Sequence, residues 1–296
     1  MVTTTARRAV VGFLRESYEL SQRRACATIG FLRSTCRYVC QRRDDVRLRQ
    51  RLKELAQKRP RFGYRRLWWT LTNREHFTVN HKRVHRIYRE EGLQVRRRRR
   101  KRVSMVRKPM VPPTQPNERW SIDFMRDTLG DAKAFRTFNV VDDLTRECPA
   151  IEVAKSIPGA RVVRVLDRIA AERGYPKRMV MDNGPELAGQ ALDEWAYKNG
   201  VELHFITPGR PVENAYIESF NGKFRDECLN EHWFSTLDDA RRTIEDWRRD
   251  YNEERPHSAL GGLPPREYAS QFANLRAPSA PSGPQTLEVN SSPGLS

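Results

Sequence analysis

No stretch of this 296-residue chain holds the roughly 18 consecutive apolar residues that a membrane span requires. The opening MVTTTARRAVVGFL has too short an apolar core for an export signal. Cysteines are few, namely Cys26, Cys36, Cys40, Cys148 and Cys228. Their odd number and irregular spacing exclude a disulfide framework and point to reduced thiols in a cytosol. A zinc knuckle is also missing. His81 and His85 have a ligand-like spacing, but no Cys pair follows them, so they read as solvent- or DNA-facing histidines. Acidic residues are scarce in the front half. Residues 1–110 carry 8 Asp+Glu against 32 Lys+Arg, a net of +24, whereas residues 111–296 carry 29 against 23, a net of −6. Solubility needs far less charge than that. A polyanion accounts for it better, because each cation placed on a phosphate releases a counterion.

The length leaves room for two domains and a sizeable core. Residues 1–45 read as a helix-turn-helix-like segment. Ala9, Val10, Phe13 and Leu14 form a stripe, Ser21 caps a helix ending at Gly30, and Ser34 opens STCRYVCQRR with Arg37, Arg42 and Arg43. Residues 46–95 form a second helical module. Asp44 to Ala56 is one helix, PRFGYRRLWWTL turns into another, and Thr78 or Asn80 caps NHKRVHRIYREEGL. Val84, Ile87 and Tyr88 should face inward, with Lys82, Arg83, Arg86 and Arg89 outward as a basic face for a groove or phosphate backbone. Residues 96–117 are a basic arm, RRRRRKR, and a Pro-rich linker. Residues 118–270 alternate strand and helix patterns, and residues 271–296 have the composition of a disordered tail.

In that third region RWSIDFMRDT, FRTFNVVDDLT and CPAIEVAKS read as three strands joined by short turns. A helix, a strand, a helix, a strand and a helix follow. A meander followed by crossovers predicts an α/β fold, a mixed five-stranded sheet flanked by helices. TLDDARRTIEDWRRDYNEE is the last helix expected.

The stretch from Gly209 to Cys228 turns and becomes a helix. Ile217, Phe220 and Phe224 repeat at a spacing that places them on one face. Glu218, Asn221 and Arg225 repeat one residue on, so a polar row runs beside the apolar one. Two more acids sit where ligands are expected. Asp123 lies mid-strand, where an Asp is costly to bury unless paired or bound to metal. Asp182 ends the fourth strand, the end where α/β sheets gather their sites. The 35 residues between Asp182 and Glu218 suffice for one helix, one strand and a turn, which brings Glu218 back to face Asp182. Three converging carboxylates suit hard divalent cations such as Mg²⁺. Taken singly, each has a plainer reading: Asp182 as a turn former, Asp123 as the partner of an Arg, and Asp142 and Asp143 as strand-end turn residues.

WSIDF at 120–124, MDNGPEL at 181–187, PVENAYIESFNGKFRDECLN at 211–230 and YNEERPHSALGGLPPREY at 251–268, with FGYRRLWWTL and RVHRIYREEGL upstream, resemble the DDE transposases of bacterial insertion sequences. The likeness is to the second-frame protein of the insertion-sequence-three family, whose core is similar to that of retroviral integrases. The resemblance implies a ribonuclease-H-like core and metal-dependent DNA cleavage and strand transfer. It puts Asp123, Asp182 and Glu218 in the catalytic, metal-holding positions, with two Mg²⁺ ions and Mn²⁺ as substitute. Arg225 takes the position of a substrate-DNA contact, with Lys223, Arg37, Arg42, Arg43, Lys82, Arg83 and Arg86 as further candidate DNA contacts. The implied partners are terminal inverted repeats, target DNA, further copies of the chain and a fused upstream-frame product, with no membrane. The implied location is the bacterial cytoplasm, at the nucleoid. Glu213 stands where Asp is expected, in a turn. Two other readings stay open, a DNA-binding regulator with an inactive core and a simple Mg²⁺-dependent nuclease.

Overall fold

Two short turns and two crossovers fix the sheet. In the computed structural model, which describes residues 3–38, 45–95, 111–184, 187, 189–207 and 214–274, β1 (Arg119–Thr128), β2 (Ala134–Asp142) and β3 (Ala150–Ala154) pair antiparallel in sequence order. Helix α7 (Gly159–Arg173) carries the chain to β4 (Arg178–Met181), and α8 (Gln190–Asn199) carries it to β5 (Glu202–Phe205). Both crossovers return the strand parallel, so β4 pairs with β1 and β5 with β4. The order is β3-β2-β1-β4-β5, the mixed five-stranded sheet expected.

Strand alternation sends side chains to opposite faces. Trp120 and Ile122 of β1, with Phe138 and Val140 of β2, meet α7 and α8 in one core. Met125, Phe135 and Val141 point the other way and meet α9 (Ala215–Phe224) and α10 (Leu237–Glu253) in a second core. Ile217, Phe220 and Phe224 are all buried there, as their spacing predicts. The helix expected over 213–228 runs as α-helix only through Phe224. It then widens into a π-helical turn, Arg225–Leu229. A final helix, α11 (Pro265–Asn274), was not expected. It begins beyond Gly261 and Gly262, both in the left-handed region, and its first residue is a proline, which suits a first helical position.

Upstream, the chain falls into two units, Met1–Arg51 and Leu52–Ser296. The first holds α1 (Thr4–Ser17), α2 (Gln22–Thr28) and α3 (Arg33–Arg37), packed through Val11, Ala25, Cys26 and Phe31. Ser21 caps α2 as expected. The third helix, expected over 34–43, ends at Arg37, and Arg42 and Arg43 lie outside the described residues. So do Cys40, the 96–102 cation block, the Pro208–Glu213 turn and the tail from 275. In the second unit, α4 (Val46–Lys58), whose first residues belong to the first unit, leads to α5 (Tyr64–Trp69), a π-helical turn over Thr70–Arg74 and α6 (His81–Glu90). Asn80 caps α6, its Oδ1 accepting from the Lys82 N–H at 2.8 Å. Val84, Ile87 and Tyr88 are buried, as expected. No helix among the described residues is long and apolar enough to cross a membrane.

Phe220 anchors α9. Its ring meets those of Trp247 and Tyr251 edge-on, at 5.8 and 5.0 Å between centroids. Truncation there leaves a cavity beneath the helix, so Phe220→Ala should cost about 3–5 kcal/mol. Urea denaturation of the purified chain measures this, and a cost below about 1 kcal/mol would contradict the packing.

Candidate active site

Asp123 shares the face of β1 that α9 covers, two residues from buried Met125. In the antiparallel register it stands opposite Asn139. These two polar residues lie on the face that also carries buried Met125, Phe135 and Val141, and both need partners there. Asn221 of α9 supplies them. Its Nδ2 donates to Asp123 Oδ2 at 2.6 Å, and its Oδ1 accepts from Asn139 Nδ2 at 2.8 Å. The Phe124 backbone N–H donates to Asp123 Oδ1 at 2.7 Å. One helix residue thus ties two neighbouring strands to the carboxylate. Asn139 is fully buried.

Asp182 follows β4 directly. The parallel register pairs Ser121 with Val180, and Asp123 and Asp182 each lie two residues beyond that pair. Asp182 Oδ1 accepts from the Gly184 N–H at 3.1 Å. It therefore closes its own turn and also lies at the sheet's carboxyl edge. Glu218 is one turn before Asn221 on α9 and exposed.

The charges of Asp182 and Glu218 both act on Asp123. Burial pushes the Asp123 carboxyl up to about 6. The Phe124 N–H and Asn221 amide favour the charged form, whereas the charges of Asp182 and Glu218 oppose it. At about 1.4 kcal/mol per tenfold in proton affinity, the ionised Asp123 is roughly 3 kcal/mol less favourable at neutral pH than in water. Among the described residues, no three His, Cys, Asp or Glu side chains already stand in ligand geometry. Glu218 is exposed on α9 and accepts no hydrogen bond from the described residues.

The cations are divided. Arg225 is exposed at the foot of α9, with Nη2 donating to the Arg126 carbonyl of β1 at 3.1 Å. Lys223 is half-buried, and burial with Arg255 nearby brings its ammonium down to about 8. On α6 Lys82 is exposed, whereas Arg83 and Arg86 are half-buried, and Arg86 pairs with Glu90 at 2.9 Å. Arg37 is held by Gln22 at 2.8 Å. Asp142 and Asp143 are buried at the end of β2. Asp142 caps the turn through the Leu144 and Thr145 N–H groups, and Asp143 pairs with Arg119 at 2.5 Å.

Sequence reasoning reached Asn221 as part of a polar row and overlooked Asn139. The available signal was an Asn between Phe138 and Val140 in an apolar strand. It becomes meaningful only with the β1–β2 register in hand.

Two integrase core domain models match residues 113–211 and 199–265, and an HTH-like domain model matches residues 43–101. The chain is 52% identical over 270 residues to an uncharacterized 31.7 kDa protein of insertion element IS407 from Burkholderia multivorans, covering 90% of this chain and 97% of that one. It is 27% identical over 254 residues to the transposase InsD of insertion element IS2 from Escherichia coli, covering 78% and 80%. Among solved structures, the catalytic core domain of HTLV-2 integrase in complex with magnesium aligns at 16% identity and a TM-score of 0.41, over 52% of this chain and 97% of that one.

In the metal-free protein, carbon-detected NMR should find Asp123 titrating near 6. The folded state then holds this proton more tightly than the unfolded state, whose Asp titrates near 3.9. Between roughly pH 4 and 6 the metal-free fold therefore loses stability as pH rises, by roughly 3 kcal/mol from this group. Asn221→Ala removes a donor to the charged form and should move the titration higher still. A wild-type Asp123 ionising at 4 or below would refute this electrostatic picture.

Proposed function

Because this chain belongs to the insertion-sequence transposases built on an integrase core, we propose that Asp123, Asp182 and Glu218 are its catalytic carboxylates and together hold Mg²⁺. The fit to a hard divalent cation rests on Asp123. Its carboxyl is pushed up by burial and by two negative neighbours, and a cation is the partner that reverses both effects. All three donors are carboxylate oxygens, which suit Mg²⁺ and its substitute Mn²⁺. When bound, two such ions activate the attacking oxygen and stabilise the leaving one in phosphoryl transfer.

The chain's own residues do the rest. Asn221 and the Phe124 N–H fix both oxygens of Asp123, so one carboxylate is preorganised. Exposed Glu218 is the acid with the most freedom to adjust. Exposed Arg225, on the same helix row, pairs with a DNA phosphate in this reading. Lys82, Arg83 and Arg86 on α6 carry the contact further along the duplex, with Arg37, Arg42, Arg43 and Lys223 as subsidiary contacts. In the first reaction, water attacks a phosphodiester at the element end and leaves a 3′-OH and a 5′-phosphate. In the second, that 3′-oxygen forms a bond to a target phosphorus as the target's own 3′-oxygen leaves. The DNA partners are the terminal inverted repeats and the target, and joining two ends calls for at least two copies of the chain. The domain division at 1–45, 46–95, 96–117 and 118–270 belongs to the same reading, with the last boundary, expected at 271, moved beyond α11, which runs to Asn274.

The observation that carries the proposal is Asp123 itself, gripped by Asn221 and pressed by the negative charges of Asp182 and Glu218. Asp123→Asn should lower nicking and joining at least about a thousandfold in either Mg²⁺ or Mn²⁺, with end binding intact in a gel-shift assay. Strand joining by that variant at the wild-type rate would remove Asp123 from the site. Hydrolysis products alone from the wild-type chain would indicate a nuclease instead.

A further inference from the structure

A DNA-binding module is expected to turn its arginines outward. In residues 59–74, Arg59, Arg61, Arg66 and Arg74 turn instead onto acids of the integrase-like core. The two Nη groups of Arg59 donate to both carboxylate oxygens of Asp250 in α10. Arg61 pairs with Asp226. Arg66 Nη1 donates to Glu227 Oε1 at 2.8 Å. Arg74 Nη2 donates to the Glu253 carbonyl at 2.6 Å, and its guanidinium lies 3.4 Å from Glu254 and 3.5 Å from Glu267. Glu227 is gripped from its other side by buried Arg255, through two hydrogen bonds of 2.6 Å. Trp69 presses so closely on Gly262 that a Cβ at that glycine would run into its indole ring.

Asp226 and Glu227 sit in the π-helical turn that continues α9, the helix that carries Glu218. The module is thus bonded to the catalytic helix itself. Its other face is left open. Lys82 and Arg89 on α6 are exposed, and α6 contributes none of the pairs just described. The basic side chains of residues 52–95 therefore serve two surfaces, one facing the core and one facing outward.

By its contour length alone, the chain over residues 96–110 sets an upper bound on the separation of module and core of about 50 Å at 3.3 Å per residue. That spans about fifteen base pairs at 3.4 Å each. A transposase must cut at one phosphodiester, so a tighter constraint is required.

Resting on the transposase reading above, we propose that this arginine latch fixes the distance between the base pairs held by α6 and the phosphodiester presented to Asp123, Asp182 and Glu218, and so sets the cleavage position on the element end. The half-exposed pairs are the ones to exchange, since Arg61 with Asp226 and Arg59 with Asp250 all retain solvent access. Buried Glu227 and Arg255 are left alone, because breaking that pair would strand a buried charge.

The test uses the full chain, a labelled DNA end, Mg²⁺ and single-nucleotide mapping of the nicks. The wild-type chain should nick one phosphodiester. R59E/R61E should still bind the end within about threefold of wild type, yet spread its nicks over neighbouring phosphodiesters, lowering the share at the native position about tenfold. R59E/R61E/D226R/D250R, with the charges exchanged, should return the nicks to one position. Native-position nicking by R59E/R61E overturns the proposal. So does failure of the exchanged variant to restore a single position when R59E/R61E nicks broadly or not at all. A wild-type chain that nicks nowhere fails the transposase reading itself, a result seen before any latch variant enters.

Discussion

A carboxylate on the apolar face of a sheet is the constraint on which the centre of this molecule depends. Asp123 is on that face because β1 alternates and Met125 must point into the core. Nothing in the strand itself can satisfy it beyond the Phe124 N–H. The answer comes from a distant part of the chain, through Asn221, whose amide accepts from one strand and donates to the other. An amide suits this place because it has both a donor and an acceptor and no charge of its own. The apolar rows of α9 and α10 around it fix how deeply Asn221 sits. The packing of the second core and the hydrogen bond to Asp123 are therefore set by the same helix.

Much of this was legible in the residues. The spacing of Ile217, Phe220 and Phe224 gives the buried face of α9. Asn80 marks the start of α6, and the strand–helix order gives the mixed sheet. Asp123 and Asp182 stand out because an acid in an apolar strand, or at a strand's carboxyl end, calls for a reason. The unread parts share a cause. Asn139 acquires meaning from a cross-strand register, which no local pattern encodes. The π-helical turn after Phe224 does not disturb the apolar spacing that precedes it. The arginines at 59, 61, 66 and 74 enter the sequence reading only as part of the basic front half, because a cation's partner is a tertiary fact. Helix α11 was hidden by the GGLPP run before it, which reads as loop.

The charge asymmetry also reads differently in three dimensions. The excess of cations before residue 110 is not one uniform surface. Part of it neutralises the acids of the back half, whose net charge is negative. Asp226, Glu227, Asp250 and Glu253 account for some of that deficit, and each meets an arginine from residues 59–74 by side chain or backbone. The acidic half is thus partly a receptor for the basic one.

The order of the elements along the chain has a consequence for synthesis. The three acids come from β1, from the end of β4 and from α9, and the rings that seat α9, Trp247 and Tyr251, come later still on α10. Translation runs from the basic modules towards α10. The proposed DNA-holding segments thus leave the ribosome before α9 and α10 do, and the proposed site is among the last parts of the fold to close.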